Sequence, residues 1–326
     1  CFIYALNMKG TLKRTLSLTD SISVVSGSMI GCGIFIVSAD IARQVQSGVL
    51  LILTWMLAGF VTLCGALSFA ELAANITEEG GQYVYLKKIF NEKIAFLYGW
   101  TTFLVIQTGT LAAVCVAFAK FLGLLVPFIS AHLFVVNCGG VTLSTQQVCA
   151  IFTVVFLSYI NSKGIKYGVI TQNLFTATKV LSIIGIILAG LFFGFHWKTI
   201  IANSYIPQFS LLTNSKIVFT AVVGALFSSI TWNNITFIAG EIKEPSKNIP
   251  KALAYGTGLV VLLYLLINTI YLGVLPLEAI QNAPEDIVGA RMMAEIFGTA
   301  GKDIAALIIM ISAFGCANGM ILAGSR

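Results

Sequence analysis

The stretch Gly27-Ser28-Met29-Ile30-Gly31-Cys32-Gly33-Ile34-Phe35 puts three glycines within seven residues, midway along an apolar run. Glycine lowers the cost of leaving helical geometry, so a helix can break here. At membrane depth such a break is tolerated only where its freed N–H and C=O groups are buried in protein or face a water-filled cavity. It would present N–H groups at the start of the second half-helix, and these attract an anion such as a carboxylate. The competing reading is a small-residue packing seam, because Gly27 and Gly31 have G-x-x-x-G spacing. A dinucleotide fingerprint is disfavoured, since no strand precedes these glycines and the run is too apolar for a Rossmann turn.

The surrounding sequence sets that run in a membrane. Hydrophobic residues make up 58% of the chain and charged ones 10%, against roughly 25% charged in a soluble domain. The apolar residues arrive in blocks long enough to cross the hydrocarbon core of a bilayer. These blocks predict eight spans, near 17–41, 48–74, 94–126, 147–161, 169–195, 216–239, 252–275 and 303–326. Span 4 is short for a full crossing.

Charge distribution orients them. With the N-terminus cytoplasmic, the inside segments hold twelve basic residues, Lys9, Lys13, Arg14, Lys87, Lys88, Lys93, Lys163, Lys166, Lys243, Lys247, Lys251 and Arg326. The outside holds six, Arg43, Lys120, Lys198, Lys216, Arg291 and Lys302. That excess favours a cytoplasmic N-terminus under the positive-inside rule, and the plasma membrane is the membrane expected. The formal charge of +6 has no Lys/Arg-rich stripe, so a nucleic-acid partner is not expected. Met8 reads as the natural start, with Cys1 to Asn7 foreign or upstream sequence, and no cleaved signal peptide is evident.

Span 6 holds a second irregularity, Phe227-Ser228-Ser229-Ile230-Thr231-Trp232-Asn233-Asn234, rich in residues of middling or poor helix propensity. Its adjacent asparagines are polar glue between helices or cavity lining. Spans 1 and 6 occupy equivalent places if five helices form one repeat and the next five another. Interrupted spans at matching positions in two halves point to a transporter binding site.

Lys179 lies about ten residues into span 5, where a charge costs about 2.5–3.5 kcal/mol to insert near a helix centre. It either snorkels to the membrane face or serves the site, and ten residues, about 15 Å, is a long way to snorkel. Six of the seven cysteines, Cys1, Cys32, Cys64, Cys115, Cys149 and Cys316, read as small buried hydrophobes. Cys138, between spans 3 and 4, is the candidate for a disulfide to a partner. Glu71, Glu241 and Glu244 read as solvated or lysine-paired residues at helix ends. His132 and His196 have no neighbours at ligand spacing, so no metal is expected. Neither a catalytic constellation nor a cofactor motif is present, and an enzyme is not expected.

Four stretches together resemble the APC superfamily of amino-acid permeases, and within it the L-type amino-acid transporter group and its bacterial relatives. They are Gly27 to Phe35; Gly80-Gly81-Gln82-Tyr83-Val84-Tyr85-Leu86; Trp232-Asn233 through Glu241, Pro245, Asn248 and Pro250; and Ser312-Ala313-Phe314-Gly315-Cys316-Ala317-Asn318-Gly319 with Ser325-Arg326. The resemblance runs from about Leu16 to Arg326. It implies an all-α integral membrane fold with an inverted five-helix repeat core, of which this chain holds helices 1–8 of twelve. Residues 1–16 would be a cytoplasmic segment, 17–195 the first repeat and 216–326 an incomplete second repeat.

The resemblance also implies a site. Backbone N–H groups of Ser28, Met29, Cys32 and Gly33 would bind a substrate carboxylate, with Ile30 and Gly31 at the break itself. Carbonyls of Phe227, Ser228 and Ile230 would hold the amine, Phe227 doubling as an aromatic gate. Trp232, Asn233 and Cys316 would line the side-chain pocket. Lys179 would stand where sodium-coupled cousins bind sodium, implying sodium-independent transport. Tyr271 matches a family tyrosine that hydrogen-bonds in this network, or is an ordinary interfacial aromatic. The implied activity is exchange of small neutral L-amino acids by alternating access, with proton-coupled uptake, a non-transporting amino-acid sensor and an inactive truncated product as alternatives. An accessory subunit is left open.

Overall fold

A computed structural model describes residues 14–78, 80–138, 141–205 and 211–325. Cys1, Met8, Lys9, Lys13 and Arg326 lie outside the described residues, as do the side chains of Cys138 and Lys166.

The first span is broken in two. Ser17 and Asp20 form a capping box that starts α1, Leu18–Met29. The helix stops at Ile30, whose ψ of 96° leaves the α region. Helical geometry resumes in α2, Gly33–Val45, at 42° to α1. Ser47 caps α3, Gly48–Asn75, a single long crossing. After short α4, Gln82–Ile89, the third span runs from α5, Glu92–Thr101, through a π-helical turn at Thr102–Gln107 into α6, Thr108–Leu125. A π turn widens a helix locally and is frequent beside functional sites.

A β-hairpin follows, Phe134–Cys138 (β1) against Val141–Ser144 (β2), so the fold is mostly helical rather than all-α. β-Branched and aromatic residues flank Gly139-Gly140, a pattern that favours a hairpin over a polar loop. Next come α7, Thr145–Ser162, α8, Ile165–Phe193, and short α9, Trp197–Asn203. The sixth span is interrupted, with α10, Leu211–Ser228, ending before an irregular Ser229 to Asn233 and the short α11, Asn234–Phe237. Pro245 opens α12, Pro245–Val274, at its first position, where a missing N–H costs nothing. After α13, Leu277–Gln281, comes α14, Val288–Gly324.

The last helix corrects the expected boundary of 303. Arg291 and Glu295, paired at 3.0 Å, make its first part amphipathic rather than uniformly apolar. Gly298, at φ 65°, then kinks it.

Among the described residues, five helices are long and apolar enough to cross a membrane, and α1 with α2 makes a sixth as a bent pair. The 18-residue α7 carries polar ends and falls short, in keeping with the short span 4. The chain is a multi-pass membrane protein. Its larger apolar core draws on α1, α2, α3, α8, α10, α12 and α14 together with Phe121 of α6, while a smaller one, Cys115, Ala119, Ala150, Leu157 and Ala317, unites α6, α7 and another face of α14. Cys64 departs from expectation by lying exposed on an apolar outer face.

At one end of the bundle the chain preceding α1 folds against the segment before α12. Leu16 bridges to Ile242, and the N–H groups of Thr15 and Leu16 donate to the Glu241 carbonyl at 2.9 and 3.0 Å. Glu241 is therefore covered, at 1% exposure, instead of solvated. Glu244 is exposed and pairs with Lys247 at 2.8 Å, as a helix-end residue does.

Candidate functional site

A helix C-terminus leaves four carbonyls without intrahelical partners. The end of α1 is buried, so those groups need donors from elsewhere, and five side chains supply them. Lys179 Nζ donates to the Gly27 and Ile30 carbonyls, both at 2.7 Å. Thr231 Oγ1 donates to the Ser28 carbonyl at 2.8 Å and Cys316 Sγ to the same oxygen at 3.2 Å. Tyr264 OH reaches the Met29 carbonyl at 3.1 Å, and Ser312 Oγ lies 3.3 and 3.2 Å from the Ile30 and Gly31 carbonyls. A cation at the negative end of the α1 dipole is also favourable.

Lys179 is 1% exposed and turned inward, which rules out snorkelling. Its stem passes where residue 315 has no side chain: a Cβ on Gly315 would stand 2.8 Å from Lys179 Cε. The glycine and the lysine are therefore a matched pair.

The two breaks meet. Tyr264 OH also lies 3.3 Å from the Ser228 carbonyl at the end of α10. A Cβ on Gly33 would come 2.7 Å from Ser228 Oγ and 3.2 Å from Ser228 Cα, so only glycine allows this approach. Thr231 turns the second break at φ 75°, a conformation rare for a branched residue and a sign of stored strain.

The glycine stretch satisfies both of its readings at different residues. Gly27 is a packing glycine, since its Cβ would fall 1.9 Å from Thr176 Oγ1 on α8. Gly31 and Gly33 belong to the break.

Several expected roles change. Ser28 and Met29 sit in the last turn of α1, where their N–H groups bond within the helix; they offer carbonyls to the break instead. The N–H groups at the start of α2 are those of Cys32, Gly33 and Ile34, Phe35 N–H donates to the Cys32 carbonyl at 3.1 Å, and Cys32 supplies no side-chain cap. An uncapped helix start of this kind attracts negative charge. Ile30 is fully buried between the halves. Of the second break, Phe227 is 59% exposed and Ile230 38%, whereas Ser228 is buried with its carbonyl near Tyr264.

A cavity of about 290 Å³ opens beside this break, walled by Gln82, Tyr98, Thr102, Gln107, Thr231, Trp232, Asn233 and Met320 among others. Trp232 packs edge-on to Phe69 at 5.0 Å, and Asn233 Nδ2 donates to Gln82 Oε1 at 3.2 Å. Gln82 Oε1 also accepts from Tyr98 OH. Cys316 does not line this cavity. It is occupied with the Ser28 carbonyl, and Met320, one turn on, takes the wall position.

Tyr271 is likewise displaced from its expected network. It is buried near Phe35 and Gly289, and its hydroxyl has no hydrogen-bond partner among the described residues. Tyr264, two turns earlier on α12, is the tyrosine at the breaks. The sequence reading gives Tyr264 no role and includes Thr231 and Gln82 only as members of their stretches; Asn268, which donates to the Tyr264 carbonyl, is the polar signal near Tyr264. Removing a buried hydrogen bond costs about 1–3 kcal/mol when a partner is left unsatisfied. Tyr264→Phe should therefore lower thermal stability in detergent and slow any activity of the site, while Tyr271→Phe leaves both near the parent level. Side-by-side melting curves of the two variants check this.

A family model for amino-acid permeases matches residues 16–326, and the chain belongs to that family. Over 97% of its length it is 29% identical to the serine/threonine exchanger SteT of Bacillus subtilis (strain 168), covering 67% of that protein. It is 26% identical to the b(0,+)-type amino acid transporter 1 of Mus musculus, covering 62%. To the large neutral amino acids transporter small subunit 2 of Homo sapiens it is 27% identical, covering 57%. The chain thus spans roughly three fifths to two thirds of the length of these relatives.

Proposed function

We propose that this chain is the substrate-binding part of a sodium-independent exchanger of small neutral L-amino acids that works by alternating access. The observation that carries the reading is the pair of opposed helix breaks. An uncapped helix start at Cys32 to Ile34 suits a carboxylate, and an irregular segment after Ser228 suits an amine. A zwitterion with a small side chain matches both. The names of the relatives support the substrate class, and SteT supports a small polar side chain and exchange.

Lys179 takes the role of a built-in cation. Its ammonium satisfies carbonyls on both sides of the α1 break, a task that a bound sodium ion could otherwise perform. Under this reading the protein lies in the plasma membrane with the Leu16 end cytoplasmic, has twelve helices in its full form and is no enzyme. Residues 17–195 form one repeat, and 216–326 part of its inverted partner.

Competition for labelled substrate tests the site. Full-length protein in liposomes should ignore an amino-acid methyl ester and an N-acetyl amino acid, each of which lacks one charged end. Displacement by either as strong as by the parent amino acid would refute this site.

A further inference from the structure

Two free thiols meet at the first break from different elements. Cys32, half-buried, stands at the uncapped start of α2, and Cys316, buried on α14, reaches across to the Ser28 carbonyl on the other half of the span. Gly31 brings them near. A Cβ there would lie 3.4 Å from Cys316 Sγ and 3.8 Å from Cys316 Cβ, so the sulfur rests against backbone with no side chain between. Chain geometry then holds the Cys32 Cα within about 9 Å of that sulfur. The two thiols also lie within electrostatic reach of each other and of the Lys179 ammonium.

Cys316 is free to leave its present contact. Thr231 Oγ1 donates to the same Ser28 carbonyl at 2.8 Å, so this buried oxygen keeps a donor when the thiol turns away. The backbone beside Cys32 is free to adjust as well, because Ile30 has left the α region and no side-chain cap fixes the start of α2. A disulfide asks for Cα atoms about 4.4–6.8 Å apart, a distance that a small shift of the break supplies. The competing partner is Cys115 on α6, also within electrostatic reach of Cys316. It is packed into the smaller core with Ala119, Ala150, Leu157 and Ala317, and has less freedom to turn.

We propose that Cys32 and Cys316 are a redox-modification site: a peroxide joins them in a disulfide that ties the start of α2 to α14 and stops exchange. The peroxide first converts the Cys32 thiol to a sulfenic acid and is reduced to one water. The Cys316 sulfur then attacks the Cys32 sulfur, the S–S bond forms, and the hydroxyl leaves with the Cys316 proton as a second water. Two thiols are oxidised and one O–O bond is cleaved. A small dithiol reverses the step by thiol–disulfide exchange. The bond fixes the N–H groups offered to a carboxylate at one distance from α14. Its effect on exchange rests on the transport reading, whereas its formation does not.

The test treats full-length protein in liposomes with hydrogen peroxide. One portion is digested without reduction for peptide mass spectrometry, and the other is assayed for exchange. A peptide pair linked through Cys32 and Cys316 should appear, and exchange should fall by the fraction of chains linked and return with dithiothreitol. Cys32→Ser and Cys316→Ser, each compared with its own untreated sample, should show neither the linked pair nor a peroxide-dependent loss. Cys115→Ala should respond as the parent does. No linked pair at any peroxide dose that the fold survives, or linkage of Cys316 to Cys115 instead, overturns the site. Undiminished exchange by linked chains overturns the switch. The linked pair in a protein that carries no amino acid upholds the site and refutes the transport reading.

Discussion

Lys179→Ala should lower exchange in the full-length protein by roughly tenfold or more, because two charge-assisted hydrogen bonds worth about 1.5–3 kcal/mol each disappear. The Gly27 and Ile30 carbonyls then face a void, and only Ser312 remains on Ile30. The two halves of the first span lose the group that spans them, and the start of α2 drifts from the position in which it can receive a carboxylate. Lys179→Arg does no better. Gly315 leaves a passage fitted to a methylene stem, and a planar guanidinium cannot replace a compact ammonium between two carbonyls. Exchange assays with and without sodium, beside a melting curve for each variant, separate loss of the site from loss of the fold. Full exchange by the alanine variant would remove Lys179 from the mechanism.

Gly33→Val is the second large effect. Its Cβ alone would lie 2.7 Å from Ser228 Oγ, 3.0 Å from Ser228 Cβ and 3.2 Å from Ser228 Cα, so the two breaks must separate. Overpacking of this kind costs typically about 1–3 kcal/mol, and here it falls on the junction that forms the site. Substrate affinity should drop by roughly tenfold or more, since 1.4 kcal/mol is a factor of ten. Adding Ser228→Gly removes the nearest two atoms and should recover part of the affinity in Gly33→Ala, though less in Gly33→Val. Binding measured by thermal shift against substrate concentration checks the series. No rescue in either background would mean that the breaks do not depend on this contact.

How much of this was legible in the sequence follows from helix geometry. Glycine density located the first break, and the polar run after Phe227 located the second, because both signals are local. Which residue on a face meets the site is not local. Tyr264 and Tyr271 are seven residues apart, two turns or about 10.5 Å along one face of α12, and their sequence surroundings are similarly apolar. Only packing decides that Tyr264 reaches the breaks. Cys316 and Met320 differ by one turn on α14 for the same reason. The hairpin was missed because its strands are short, and the start of α14 because Arg291 and Glu295 interrupt the apolar run on which span prediction depends. Glu241 looked like a helix-end carboxylate, and no local signal announces that the chain before α1 covers it.

Counterflow in liposomes tests the central claim most directly. Full-length protein would be reconstituted into vesicles loaded with an unlabelled small neutral amino acid or left empty, and uptake of the labelled amino acid followed in sodium and in choline buffer. The account predicts uptake into loaded vesicles only, at the same rate in both buffers. Equal uptake into empty vesicles, or uptake that requires sodium, would contradict it.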